Sequence, residues 1–275
     1  MRTGGVAVGN DVVDLADPET RLSGLHPRFD ERVFCAAERA ALEASPSRHL
    51  LHWVLWAAKE SAYKARKRLE PALVFAPRDF EVELVPPPVA RAEGTATGQV
   101  FHHGGVCDLE IRLDGASVHA VARSRDAAEA WVVSAVERTE GDPGVAARRL
   151  AATAIGSALG LDPDDVLVAG RPPVVRHGAQ PLDAVLSLSH HGRFVAFACA
   201  LTGRPSPDPC QPGPSGLEAV VPSWVAVLPS DLHVVANGHE CRCDDEQDED
   251  DPARRGRAAA KRSSGLEQRR PFGVV

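Results

Sequence analysis

Between Arg48 and Leu69 the chain carries its most constraining stretch, in which Leu51-His-Trp-Val-Leu-Trp-Ala-Ala-Lys-Glu-Ser-Ala-Tyr-Lys-Ala-Arg-Lys67 repeats apolar residues at helical spacing. Projected at about 100° per residue, Leu51, Leu55, Ala58, Ala62 and Ala65 form one stripe, the expected core side. Opposite it, within an arc of about 80°, lie Trp53, Trp56, Glu60, Lys64 and Lys67. An acid and a base four residues apart, such as Glu60 and Lys64, are an ordinary exposed pair worth about 0.2–0.5 kcal/mol. Two tryptophans beside them are less ordinary, because large aromatics among charges usually serve a contact, and this face reads as the wall of a binding site.

Around this helix the pattern predicts an α+β fold, with helices on one face of antiparallel sheets. A strand is expected at Val6 to Val13, a helix from about Arg28 to Ala44, and further strands at Asp79 to Val85, Val106 to Leu113, Ser117 to Arg123 and Trp131 to Val136. The run Thr139-Glu-Gly-Asp-Pro143-Gly breaks the periodicity and suggests a boundary, dividing a first half, residues 1–138, from a second, 139–204. The second half should hold a helix from Pro143 to Leu159, stopped by Gly160. Asp164 to Ala169, a Gly170-Arg171-Pro172-Pro173 turn, and strands near Leu186 to Ser189 and Phe194 to Ala200 follow. Residues 205–275, with Pro-Ser-Pro-Asp-Pro, an acidic run at Asp244 to Asp251 and arginines after it, have the composition of a disordered tail. Leu217 to Leu228 is an apolar island within it. His239-Glu-Cys241-Arg-Cys243 lacks the second cysteine pair that a zinc site needs.

At 275 residues and 44 % hydrophobic content the chain can fill a real core. A net charge of −7 argues against a broad nucleic-acid footprint, so an anionic ligand must be met by a local basic pocket. No apolar run is long enough for a membrane span and the first residues lack a signal-like stretch, so a cytoplasmic protein is expected, with no membrane partner. Six scattered cysteines do not read as a disulfide framework.

Gly9-Asn10-Asp11 sets a carboxylate among apolar neighbours, where glycine permits close approach of backbone or ligand. A hard cation is a natural partner for such an acid. Mg²⁺ typically takes one or two protein carboxylates and completes its shell with water and phosphate oxygens, so Asp11 and Glu60 would suffice.

Gly9-Asn-Asp11-Val-Val-Asp14-Leu, followed at matching spacing by Trp56-Ala-Ala-Lys59-Glu60-Ser61-Ala-Tyr-Lys64, resembles the two signature motifs of 4′-phosphopantetheinyl transferases. Arg32-Val-Phe34 to Glu38 and Asp79-Phe-Glu-Val-Glu-Leu resemble family segments between and after them. In the second half, Gly170-Arg171-Pro172 and Ser189-His190-His191-Gly192-Arg193 are similar to motifs of the long, surfactin-type enzymes, where they precede the metal half. Here they follow it, as in a circular permutation, which surface termini make feasible. The alternative is a short, trimeric-type synthase with an enlarged C-terminal part; a second helix-and-strand block in one chain favours the permuted form. The resemblance implies a monomer in which Mg²⁺ sits on Asp11 and Glu60. Coenzyme A donates phosphopantetheine to a serine of an apo carrier protein, with release of adenosine 3′,5′-bisphosphate. It gives Glu60 and Lys64 catalytic roles, as base and as leaving-group contact, and assigns the coenzyme A side to Lys59, Lys64, Arg171, Ser189 and His190. Arg28 and Arg32 would meet an acidic carrier helix. Val13 stands where the long enzymes carry a second acid, Asn10 replaces an apolar residue without an assigned role, and Asp14 points to the opposite strand face from Asp11. Rival readings are a silent carrier-binding homologue and another Mg²⁺-dependent enzyme of nucleotide diphosphates.

Overall fold

The computed structural model describes residues 5–85, 93–127, 130–201, 225–227 and 233–237. The first half is built on a five-stranded antiparallel sheet in the order β1-β5-β4-β3-β2, from Val8–Asp14 (β1), Glu81–Val85 (β2), Glu93–His102 (β3), Gly105–Asp114 (β4) and Ser117–Ser124 (β5). One face of it carries helix α3, Arg48–Leu69, whose boundaries are those the periodicity predicts. The expected core stripe of α3 is buried at every position: Leu51, Leu55, Ala58, Ala62 and Ala65.

The single helix expected over Arg28 to Ala44 is two: Phe29–Val33 (α1) and Ala36–Ala44 (α2). Buried Phe34 and extended Cys35 interrupt it. The Glu38 carboxylate accepts from the Cys35 backbone N–H at 2.8 Å and starts α2 afresh. Strand β3 was not expected, and Gly98 within it explains its poor signal. A Cβ there would stand 2.0 Å from the Glu83 carbonyl oxygen, so close backbone approach displaces the β-branched residues that mark a strand.

The second half is a sheet in the order β10-β11-β6-β13-β12, from Ala184–His191 (β10), Phe194–Leu201 (β11), Trp131–Arg138 (β6), His233–Asn237 (β13) and Val225–Val227 (β12). Helix α4, Pro143–Leu159, ends at Gly160 in the left-handed region (φ 67°), as its sequence predicts. A small sheet of Val166–Ala169 (β7), Val174–His177 (β8) and Gln180–Pro181 (β9) flanks it. Ala147, Leu150, Ala151, Ala154 and Ile155 of α4 form the second core with Val133, Val195 and Phe197. Two corrections follow. The sheets part between Ser124 and Trp131, not after residue 138, because β6 pairs with β11. Within 205–275, Val225–Val227 and His233–Asn237 are strands, β13 pairing with β6, where composition suggests only a disordered tail. The other residues of that segment, including His239 to Cys243, lie outside the described ones.

The halves meet along β1. Val8 packs with Val132, Ala198 and Ala200, and Val12 with Phe194 and Ala196. On the opposite face, Gly9 lets α3 come within backbone contact: a Cβ there would sit 2.1 Å from the Ser61 carbonyl oxygen and 2.5 Å from the Ala65 nitrogen. The close approach anticipated at Gly9 is therefore one of backbone. β1 is the strand that both halves share.

Candidate active site

Asp11 lies on the α3 side of β1, opposite Ala120 of β5. Lys64 Nζ donates to Asp11 Oδ1 at 2.8 Å and to the Asn10 carbonyl at 3.2 Å. One turn back on α3, Glu60 is 6 % exposed. Burial, and then the charge of Asp11, push its carboxyl up to about 7 against the opposing pull of Lys64. Burial works against the Lys64 ammonium, but Asp11 and Glu60 outweigh it and hold it above the usual lysine range. Two carboxylates thus share one cation. That surplus of negative charge in a nearly buried place is a donor set which a divalent cation fits, through oxygen ligands alone.

His190 enters from β10. Its imidazole is lowered first by burial, then by Lys64 and His191, while Asp11 opposes, so it titrates in the field of the Asp11–Lys64 pair. Ser189, next to it, is buried, and its Oγ accepts from Asn10 Nδ2 at 2.8 Å. The hydroxyl expected to hold coenzyme A holds the neighbouring strand instead. Arg171 is exposed in the turn between β7 and β8, a different part of the second half.

Lys59 departs furthest from expectation. It is fully buried, its Nζ 2.8 Å from Glu38 Oε1, with the Pro77 and Phe80 carbonyls also accepting from it. Burial lowers its pKa more than Glu38 restores. With no exposed surface it cannot reach a nucleotide; it ties α3 to α2 and to the start of β2. Trp53 is likewise not part of a binding wall, since its indole N–H donates to the Thr20 carbonyl at 2.8 Å from a buried position. Trp56 is half-buried among Phe29 and Phe75. Arg28 pairs with Glu31 at the surface, and Arg32 is exposed.

The sequence gives no warning of the lock beside the site. Asp14 is buried, and Arg193 grips it with Nε at 2.7 Å, Nη2 at 2.6 Å and its backbone N–H at 3.0 Å. Burial raises the Asp14 carboxyl, but these bonds and that of the Ala16 N–H overcome it and bring it down to about 2. Gly192 (φ 53°) makes the grip possible: a Cβ there would lie 2.6 Å from Asp14 Oδ2. Asp17, Glu19 and His191 bring ligand atoms within 4.8 Å of one another nearby. His191 Nδ1 accepts the Asp14 N–H at 3.1 Å. That bond occupies the Nδ1 lone pair.

Among the described residues Cys107 and Cys199 are buried, with thiols pushed up to about 11 and about 12 by burial, so neither is a nucleophile. No described helix is long and apolar enough to cross a membrane.

Residues 7–115 match the model of the 4′-phosphopantetheinyl transferase superfamily. They span β1, α3 and most of the first sheet, and so include Asp11, Glu60 and Lys64. Among solved structures, the holo-[acyl-carrier-protein] synthase of Thermotoga maritima is similar at 18 % identity and a TM-score of 0.30, over 50 % of this chain and 71 % of that one. No curated protein matches.

Proposed function

We propose, from the match of residues 7–115 to the 4′-phosphopantetheinyl transferase superfamily, that this chain moves phosphopantetheine from coenzyme A to a serine of an apo carrier protein. The observation that carries the reading is the junction of β1 and α3, where the buried Glu60 carboxyl lies in the field of the Asp11–Lys64 ion pair. The serine oxygen attacks the β-phosphorus of coenzyme A, the bond to the bridging oxygen breaks, and adenosine 3′,5′-bisphosphate leaves. Such a transfer needs alignment and charge neutralisation more than covalent help.

Asp11 and Glu60 would hold Mg²⁺, which supplies charge neutralisation at the phosphate oxygens. Lys64, one helical turn from Glu60, would meet the charge that grows on the leaving side. Glu60, with a carboxyl near 7, suits the acceptance of the serine proton close to neutrality. His190, exposed on β10 within the field of Lys64 and Asp11, would contact the nucleotide end, and exposed Arg171 could grip a phosphate in a bidentate manner. In this reading the second half, in permuted order, completes the coenzyme A pocket.

The test is incubation of the chain with coenzyme A, Mg²⁺ and apo carrier proteins from fatty acid, polyketide and peptide assembly, followed by intact-mass measurement. Gain of one phosphopantetheine group that disappears with Glu60→Ala is the expected result. No gain on any carrier would falsify the proposal.

A further inference from the structure

Asn10 is fully buried and touches none of the groups given a role in the transfer except through its backbone. Its bonds nonetheless run to three elements. The backbone N–H donates to Ser187 Oγ at 3.1 Å, and Nδ2 donates to Ser189 Oγ at 2.8 Å and meets His119 Nε2 at 3.3 Å. The carbonyl accepts from Lys64 Nζ. Ser187 and Ser189 are two apart on β10 and so face β1 together, while Leu186 points the other way into the second core. Burial drives the His119 imidazole down to about 3, so it stays neutral and can accept the amide. Asn10 Oδ1, by contrast, has no hydrogen-bond partner among the described residues. An amide kept in the dry interior with an orphan oxygen is a poor choice for stability alone, because an apolar side chain would avoid that cost.

The neighbours on each strand give the arrangement its meaning. Asp11 follows Asn10 on β1, and His190 follows Ser189 on β10. We propose that Asn10 is a positioning residue, a pin that holds the Asp11 strand of one half in register with the His190 strand of the other. It acts from behind, since successive side chains on a strand point to opposite faces. The inference rests on the transferase reading for its catalytic consequence, but not for the pin itself. No backbone ladder pairs β1 with β10, so side-chain bonds such as these set their relative position.

The test is hydrogen–deuterium exchange by mass spectrometry on the full chain, together with transfer kinetics, for Asn10→Leu and Asn10→Ser. In Asn10→Leu, protection over 184–191 should fall by about tenfold or more while that over 143–159 stays as in the unaltered chain. With an active chain, kcat should fall by roughly ten- to a hundredfold and KM for coenzyme A should rise. Asn10→Ser, which keeps a hydroxyl, should lie between, and it carries the same comparison if the leucine variant does not fold. Unchanged protection over 184–191, or an equal loss in both segments, overturns the pin. So does an unchanged kcat in a folded variant. If the unaltered chain modifies no carrier, the transferase reading fails, and the exchange comparison still decides the pin.

Discussion

Asp11 and Asp14 stand three residues apart on one strand and live under opposite electrostatic regimes. Asp14 is saturated: three donors from Arg193 and one from Ala16 meet its two oxygens, and its carboxyl falls to about 2. Glu60 instead lies buried in the field of the Asp11–Lys64 ion pair, and it rises to about 7. A saturated acid holds the fold together. A crowded acid holds charge in reserve for a ligand. The same contrast divides the lysines of α3, because Lys59 is consumed by Glu38 and two carbonyls while Lys64 remains at the mouth of the site.

The contrast breaks if activity and stability respond together. Glu60→Gln should show its sharpest form: transfer falls by roughly a thousandfold, about 4 kcal/mol, while the melting temperature holds or rises as the repulsion with Asp11 disappears. Kinetics beside calorimetry would show it. Lys59→Met should do the reverse and cost about 3 kcal/mol of stability by leaving Glu38 buried and unpaired. Adding Glu38→Leu should recover only part of that loss in denaturant unfolding, because the Glu38 carboxylate also accepts from the Cys35 and Val82 N–H groups. Arg193→Leu should destabilise the chain less than Lys59→Met, because the arginine is partly exposed, with a smaller effect on transfer per folded molecule.

The smallest effect is one of pH. Asp14 has a folded pKa below its ordinary 3.8, so its contribution is present in full above that value and is lost as pH falls through about 2. The stability gap between the unaltered chain and Arg193→Leu should therefore narrow between pH 4 and pH 2 in acid unfolding curves. A constant gap would mean that Arg193 acts by packing alone.

What the sequence disclosed follows the range of the interactions involved. Helices α3 and α4 were legible to the residue because periodicity and a left-handed Gly160 are local signals. The break at Phe34–Cys35 was not, since it depends on Glu38 reaching back to cap a cysteine that rarely begins a helix. Asp11, Glu60 and Lys64 could be named because their motifs place a strand and a helix turn side by side, and the structure brings the three together. Lys59 and Ser189 were assigned to a ligand because no sequence pattern shows that Glu38 and Asn10 already occupy them. The Asp14–Arg193 grip spans the whole distance between the two halves of the chain, and nothing local to either residue announces it.

Titration calorimetry of Mg²⁺ in the presence of coenzyme A, on the unaltered chain, Glu60→Gln and Asp14→Asn, puts the contrast between crowded and saturated acids to the most direct test. Binding should persist in Asp14→Asn wherever that variant is folded and vanish in Glu60→Gln. Equal binding in Glu60→Gln and the unaltered chain, or none in the unaltered chain, would contradict the account.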